Sequence, residues 1–548
     1  MTFRILLIAM LLLAAPSLLP AADDPVRLGE RIYRQGILPD GRPLIGYIRD
    51  DVEIDSTAVS CANCHNRSGL GSVEGQIISP PINGPHLFAP RNLLKDEIKN
   101  QISRSRGKER SSQPVRPAYD RKSLALAIAG GIGPGGRELN PVMPRYDITD
   151  EHLGILIDYL AQLSSTPPPG IDDRMIRLAT IVTDDVPEID RAFLLKSLDT
   201  LVDINRQYQT QKNDRRFFKM FRMLDAAFYK ELVIDVWELK GDPATWRQQL
   251  EGYYSKHPVF AIIGGISYQP WEPIHRFCED HKLPCLFPLT DLPVISETDW
   301  YTVYPSRGYY LEGETAARFI ARSTDDPKRV SVLQLVAVTA AASALKSAFD
   351  AEAREHGMGD VETMVIPKDG KIDGMLKDIG ARRYDYILFW GGRETLPMSA
   401  SFAPLLAADG KLFVSARLIE ERFDSIPSSI RNRTIFTYPY RLPEDEMRFV
   451  NYRETFTLGK VKGSDTRRVA TRTYSMIHLF LTAYREMRLN YYRDNMLDVL
   501  GMLPDQYLPD FVRLSFGPGQ RYLSKGCYVA RFDDDRKVIV PLTDWVFF

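Results

Sequence analysis

The chain has 548 residues, more than one compact core accommodates, so two or three domains are expected. It is 44% hydrophobic and 26% charged with a formal net charge of -1, a globular composition that gives no reason to expect a nucleic acid or an anionic membrane surface as partner. There is no poly-basic run and no low-complexity tract.

At the N-terminus Arg4 precedes an apolar stretch, Ile5 to Ala15, followed by Pro16, Pro20 and the small pair Ala21-Ala22 before Asp23-Asp24. This order predicts a secretory signal peptide over residues 1–22. The apolar run is shorter than the ~20 residues that span a bilayer, and no later segment is long and apolar enough. The expected location is the periplasm, an oxidising compartment. Five cysteines occur: Cys61, Cys64, Cys278, Cys285 and Cys527. Cys278 and Cys285 flank a helix-to-strand turn, where either a local disulfide or two small buried thiols fit; the oxidising compartment favours the disulfide. Cys527 is then left as an unpaired buried residue.

Residues 23–164 form the first expected domain, and its chemistry centres on Cys61-Ala62-Asn63-Cys64-His65. Two thiols at this spacing reach the two vinyl groups of a porphyrin, and a His directly after the second Cys comes under the iron. The pattern therefore predicts one covalently bound haem c held by Cys61 and Cys64, with His65 on the metal. A zinc site would want a further Cys or His pair at short spacing. A thioredoxin-like site would want a strand before and a helix after, where the flanking residues are loop-like. For the opposite side of the iron the expected ligand is Met143, in Asn140-Pro141-Val142-Met143-Pro144-Arg145-Tyr146, with His86, His152 or an open position as the alternatives. Met143 follows a Gly/Pro-rich loop, Gly130 to Gly136, and precedes a helix marked by Thr149-Asp150-Glu151 and by Leu153, Leu156, Ile157 and Leu160 at helical spacing.

On these residues the segment from Val26 to Leu163 resembles a class I monohaem cytochrome c. The resemblance implies an all-α domain in which Gly29 and Tyr33 of the first helix let it cross closely against the last helix, Leu153 to Leu163 with Tyr159. It also implies His/Met ligation of the iron and electron transfer as the activity. The charged stretch from Asn92 to Asp120, with Arg104, Arg106, Lys108, Glu109 and Arg110, is either a solvated loop or a docking surface for a redox partner.

Residues 165–173 contain Thr166-Pro167-Pro168-Pro169-Gly170 and read as a semi-rigid linker. From residue 174 to 548 apolar strand-like runs alternate with amphipathic helical stretches. The runs are Ile176 to Val182, Val233 to Trp237, Phe260 to Gly264, Cys285 to Leu289, Val330 to Ala337, Tyr386 to Trp390, Lys411 to Ser415 and Thr434 to Tyr438. This predicts an α/β domain with largely parallel sheets, long enough for two similar lobes.

In the stretches Val259 to Ser267, Leu283 to Thr290 and Tyr301 to Arg307 this half resembles type I periplasmic solute-binding proteins, the group that includes branched-chain amino-acid receptors. The resemblance implies a ligand held at a helix N-terminus by Ser267 and Tyr268, with Thr290 from the next loop and Tyr309, Trp390 and Arg417 from the facing lobe. The residues at the expected pocket are bulky, and a charged, aromatic segment from Gln207 to Tyr229 departs from the pattern. An amino acid is thus not assured as the ligand, and the cleft could be filled. Motifs of serine hydrolases, P-loop enzymes and zinc proteases are lacking, and His257, His275, His281, His356 and His478 are scattered, the last a core histidine.

Three functions compete on this reading. The favoured one is a periplasmic electron carrier whose binding-protein domain senses a ligand or docks a partner, such as a quinoprotein dehydrogenase or a terminal oxidase chain. The second is a ligand receptor in which the haem is a redox sensor. The third, an enzyme working at the iron, is disfavoured because Met ligation closes the coordination position that substrate chemistry needs.

Overall fold

The computed structural model describes residues 24–547 apart from 50–51, 58–59, 93–114, 212–229, 369, 447, 449–466, 489 and 518. The expected signal peptide, the arginine-rich part of the Asn92 to Asp120 stretch and most of the Gln207 to Tyr229 segment lie outside these residues. The chain divides into two compact units, residues 1–166 and 167–548.

In the first unit the helix Pro25–Gln35 crosses the helix Asp150–Gln162. Gly29 sits at the crossing: a Cβ added there would stand 2.5 Å from Tyr159 Cβ and 2.9 Å from the Ile155 carbonyl oxygen. The Tyr33 and Tyr159 rings lie 5.5 Å apart, and the Tyr33 hydroxyl donates to the Asn66 carbonyl at 2.6 Å. Ile32, Leu44, Leu124, Tyr146, Leu156 and Leu160 complete the core around them.

The unit is not all-α, which corrects the expectation from its resemblance. Strands β1 (Ile45–Ile48), β2 (Val52–Asp55), β3 (Ser72–Glu74), β4 (Ile77–Ser79), β5 (Arg91–Asn92), β6 (Val115–Arg116) and β7 (Arg145–Asp147) form one three-stranded sheet, β2-β1-β7, and the antiparallel pairs β3-β4 and β5-β6. The reason is local: Ile45-Gly46-Tyr47-Ile48 is a β-branched and aromatic run. It pairs antiparallel with the residues after Met143, placing Gly46 opposite Tyr146.

The second unit has two lobes. The first lobe takes β8 (Met175–Thr183), β9 (Glu231–Leu239), β10 (Ala261–Ile263), β11 (Cys285–Leu286) and β12 (Thr302–Ser306). The chain then crosses to the second lobe for β13 (Ser331–Val336), β14 (Asp360–Val365), β15 (Tyr384–Trp390), β16 (Leu406–Ser415) and β17 (Thr434–Tyr438). It returns through the helices Arg467–Glu486 and Arg493–Gly501 to β18 (Tyr522–Ser524) of the first lobe. After Lys525 it crosses again to β19 (Gly526–Asp533), β20 (Val538–Pro541) and β21 (Val546–Phe547) of the second.

The sheet orders are β18-β12-β11-β10-β8-β9 and β14-β13-β15-β16-β17-β19-β20, with β21 also paired to β19. The first is parallel throughout, and the second is parallel as far as β17. Parallel strands are covered on both faces, so their sequences are continuous apolar runs. All three residues of β10 are fully buried, as are Ile387, Leu388, Phe389 and Trp390 of β15. The end of the Pro-rich segment folds onto the second unit: Gly170 packs on the Val259–Phe260 backbone, and its carbonyl accepts from Arg177 N–H at 2.8 Å.

Candidate functional site

In an open α/β sheet the loops at the carboxyl ends of parallel strands line the ligand crevice, and here those loops of both lobes meet. After β8, the Thr183 hydroxyl bonds Asp185, whose other oxygen accepts the Tyr268 N–H at 3.0 Å. After β10, Gly264 and Gly265 take φ of 61° and 91°, turning the chain so that Ser267 and Tyr268 follow in the same loop. The Ser267 hydroxyl accepts from Gln269 N–H at 3.1 Å, and the Tyr268 hydroxyl donates to Asp190 at 2.7 Å. Burial and the Asp190 carboxylate push the Tyr268 phenol well up, although half of the residue is exposed. After β11, Thr290 Oγ1 accepts from Leu292 N–H at 3.1 Å, and Asp291 follows.

Asp291 is the focus of the crevice. From the second lobe, Arg417 in the loop after β16 forms an ion pair with its carboxylate. From the first lobe, Arg472 on the helix Arg467–Glu486 reaches the same oxygen at 3.1 Å and donates to the Thr290 carbonyl at 2.9 Å. Burial alone would raise the Asp291 carboxyl, but the two guanidiniums outweigh it and hold it below the usual range. The Asp291 carbonyl accepts the Tyr309 N–H at 3.0 Å where the chain crosses between lobes.

Behind Arg417 lies Glu312, fully buried on the helix Tyr309–Arg322, 3.2 Å from Arg417 Nε and accepting from the Thr437 hydroxyl at 2.7 Å. Burial pushes its carboxyl up to about 7 against the pull of Arg417. Arg417 also donates to Ser306 Oγ at 3.2 Å and stands 5.0 Å from the ring centroid of Tyr440.

Of the six residues expected to meet a ligand, the structure brings Ser267, Tyr268, Thr290, Tyr309 and Arg417 to the crevice loops and the crossing. Trp390 is elsewhere. It is fully buried in the second lobe's core, and its indole N–H donates to Gln334 Oε1 at 3.0 Å. Sequence reasoning missed Asp291, Arg472 and Glu312. The signal for Arg472 was its i, i+4 pairing with Arg468 on one helix face. Cys278 and Cys285, read as a disulfide, are fully buried free thiols that share a hydrogen bond, and Cys527 is likewise free and buried.

In the first unit Cys61 Sγ lies 3.9 Å from the Tyr146 hydroxyl, and burial pushes its thiol up to about 11. Cys64 is exposed, its thiol raised by partial burial and by Glu74. The His65 ring is buried, which lowers its pKa, and its Nδ1 lies 2.8 Å from the Pro80 carbonyl oxygen. Met143 is half-buried in a turn, its N–H donating to Asn140 O at 2.9 Å. His86 Nδ1 is 2.6 Å from Asn83 Oδ1, and His152 is in the first turn of the last helix.

No protein-family model matches the sequence, and no curated protein matches it. Solved structures do. A branched-chain amino acid ABC transporter structure from Thermus thermophilus with bound valine aligns with a TM-score of 0.50 and 10% identity over 69% of this chain and 98% of that one. A solute-binding protein of an ABC transporter from R. palustris in complex with 4-hydroxybenzoate aligns at 0.48 with 13% identity over 68% and 96%. A fatty acid ABC transporter substrate-binding protein from Thermomonospora curvata aligns at 0.44 with 14% identity over 70% and 95%. The fold is the two-lobed α/β fold of type I periplasmic binding proteins.

These findings correct the cofactor expected from the sequence. The Thermus thermophilus structure of the same fold is named with a small organic molecule, valine, bound. Among the described residues no group of three or more His, Cys, Asp and Glu could hold a metal ion. The haem c assigned to Cys61, Cys64, His65 and Met143 is therefore withdrawn. Among the described residues no helix is long and apolar enough to cross a membrane.

Proposed function

We propose that the chain is an exported receptor of the solute-binding type, acting in the periplasm and delivering a small organic solute to an ABC-type permease. One observation carries this reading: two lobes joined by three chain crossings bring Ser267, Tyr268 and Thr290 from one side and Arg417 from the other to a single crevice. Such an arrangement can close on a small molecule, and it offers hydroxyls, backbone N–H groups and a guanidinium for its polar end. The valine of the Thermus thermophilus structure carries a carboxylate, which is the group these donors suit. Electron transfer, with a quinoprotein dehydrogenase or terminal oxidase chain as partner, rested on the haem, and the binding-protein fold favours the receptor over it.

The test is thermal melting of the purified full chain against amino acids, aromatic acids and fatty acids. A ligand at a hundredfold excess over its Kd adds about 2.7 kcal/mol. The expected result is a saturable rise in melting temperature with one chemical class, lost in Thr290→Val. A folded chain that no member of the panel stabilises would contradict the reading.

A further inference from the structure

We infer that Asp291 is an internal stand-in for the anionic group of the solute, and that a carboxylate-bearing solute enters the crevice by displacing Asp291 from Arg417 and Arg472. This deepens the receptor reading and rests on it.

The geometry has three parts. First, one carboxylate is shared by two guanidiniums from opposite lobes, so the anion at this point holds the lobes together. Second, the side chains differ in exposure: Arg417 is 1% and Arg472 8% exposed, whereas Asp291 is 22% exposed. The carboxylate is thus the most solvent-accessible of the three groups. Third, Arg472 has a spare donor, its buried Nε having no hydrogen-bond partner among the described residues.

Buried guanidiniums require an anion, and Glu312 neutralises Arg417 only from behind. Asp291 can leave without unmaking its loop, because its carbonyl, not its side chain, receives the Tyr309 N–H. The groups facing the exchange point are the two arginines, Glu312 and the phenols of Tyr268, Tyr309 and Tyr440. Aromatic walls around paired guanidiniums suit a small organic carboxylate. They disfavour an amine, which two positive charges repel, and a neutral sugar, which leaves them unpaired.

The experiment is chemical rescue in the full-length chain with acetate, and with neutral acetamide as its control. Asp291→Ala is expected to melt below the wild type and to regain most of the difference as acetate is added, saturably. Acetamide should do nothing, and the wild type should respond to neither. Asp291→Ser is the second variant. Where folded protein does not accumulate, refolding yield in acetate against acetamide gives the same answer. The inference is overturned if the variants respond to acetate no more than the wild type does, or equally to acetate and acetamide. That failure, beside a solute that stabilises the wild type, would leave the receptor reading intact. Rescue beside a wild type that no solute stabilises would uphold the carboxylate pocket and sink the receptor.

Discussion

The Arg468 guanidinium carbon lies 3.9 Å from the ring centroid of Tyr440, so a helix of the first lobe is fastened to the segment that returns the chain from the second. The same guanidinium donates to Tyr438 at 2.9 Å and pairs through two nitrogens with Glu421. A planar, forked cation serves both contacts, and a lysine would serve neither well. Arg468→Lys should therefore lower the stability of the second unit by roughly 1–3 kcal/mol despite the conserved charge. Urea denaturation reads it, and a double-mutant cycle with Tyr440→Leu should show coupling of about 0.5–2 kcal/mol. Strict additivity would mean that the stacking carries no energy.

Arg417 predicts a larger loss. With its side chain 1% exposed and paired to Asp291 and Glu312, replacing it by Met leaves Glu312 buried without its cation and Asp291 held by Arg472 alone. Breaking a buried pair from one side costs about 3–5 kcal/mol, so Arg417→Met should shift the urea midpoint strongly. Glu312→Gln with Arg417→Met should recover part of it, since the stranded charge is gone.

Glu312 also sets a pH dependence. Its carboxyl titrates at about 7 in the fold against an ordinary 4.5, so the native state holds the proton more tightly than the unfolded chain. Its stability contribution is full below about pH 4.5 and is lost as the pH rises through about 7. The loss is on the order of 3 kcal/mol. Glu314, raised to about 7, and Asp510, raised to about 6, act with the same sign. Melting curves between pH 4.5 and 8 should show a shallower decline in Glu312→Gln than in the wild type. Parallel curves would rule Glu312 out as a contributor.

Gly308 is a steric prediction. It has φ 58° and ψ -133° at a lobe crossing, and an added Cβ would lie 2.1 Å from the Asp291 carbonyl oxygen. Gly308→Ala must strain the backbone and push the Asp291 loop away, at a cost of at least about 1–3 kcal/mol. Gly252→Ala, inside the helix Trp246–Lys256 with nothing near its added Cβ, is the control and should stabilise by about 0.5–1 kcal/mol. Equal melting temperatures for the two variants would contradict the close approach.

How much of this was legible in the sequence follows from what each signal depends on. Apolar runs such as Val330 to Ala337 and Thr434 to Tyr438 announced β13 and β17 because parallel strands are buried on both faces. Gly29 and Tyr159 announced the helix crossing of the first unit because only glycine fits that contact. The strand Thr302–Ser306 was not among the apolar runs, since threonine, serine and proline interrupt its apolar pattern. Nor was the β2-β1-β7 sheet announced, since its β1–β7 pairing joins residues far apart in the chain.

The placement of Thr290 and Arg417 in loops after strands was legible from the apolar runs that precede them. The pairing of Asp291, one residue beyond Thr290, was not, because its partners at positions 417 and 472 reach it only through the lobe crossings. Trp390 misled because the end of a strand does not say which face of the sheet a side chain takes. Cys61 to His65 misled for a related reason. A short local pattern fixes the spacing of thiols and imidazole along one helical turn, and the folded surroundings decide what they hold.

The receptor reading meets its most direct test in a calorimetric titration of the full-length wild-type chain with the small organic carboxylate that raises its melting temperature most. The expected result is saturable binding of one molecule per chain, with affinity at least tenfold weaker in Arg472→Met, a loss of about 1.4 kcal/mol. Absence of binding to the folded wild type, or equal affinity in Arg472→Met, would contradict it.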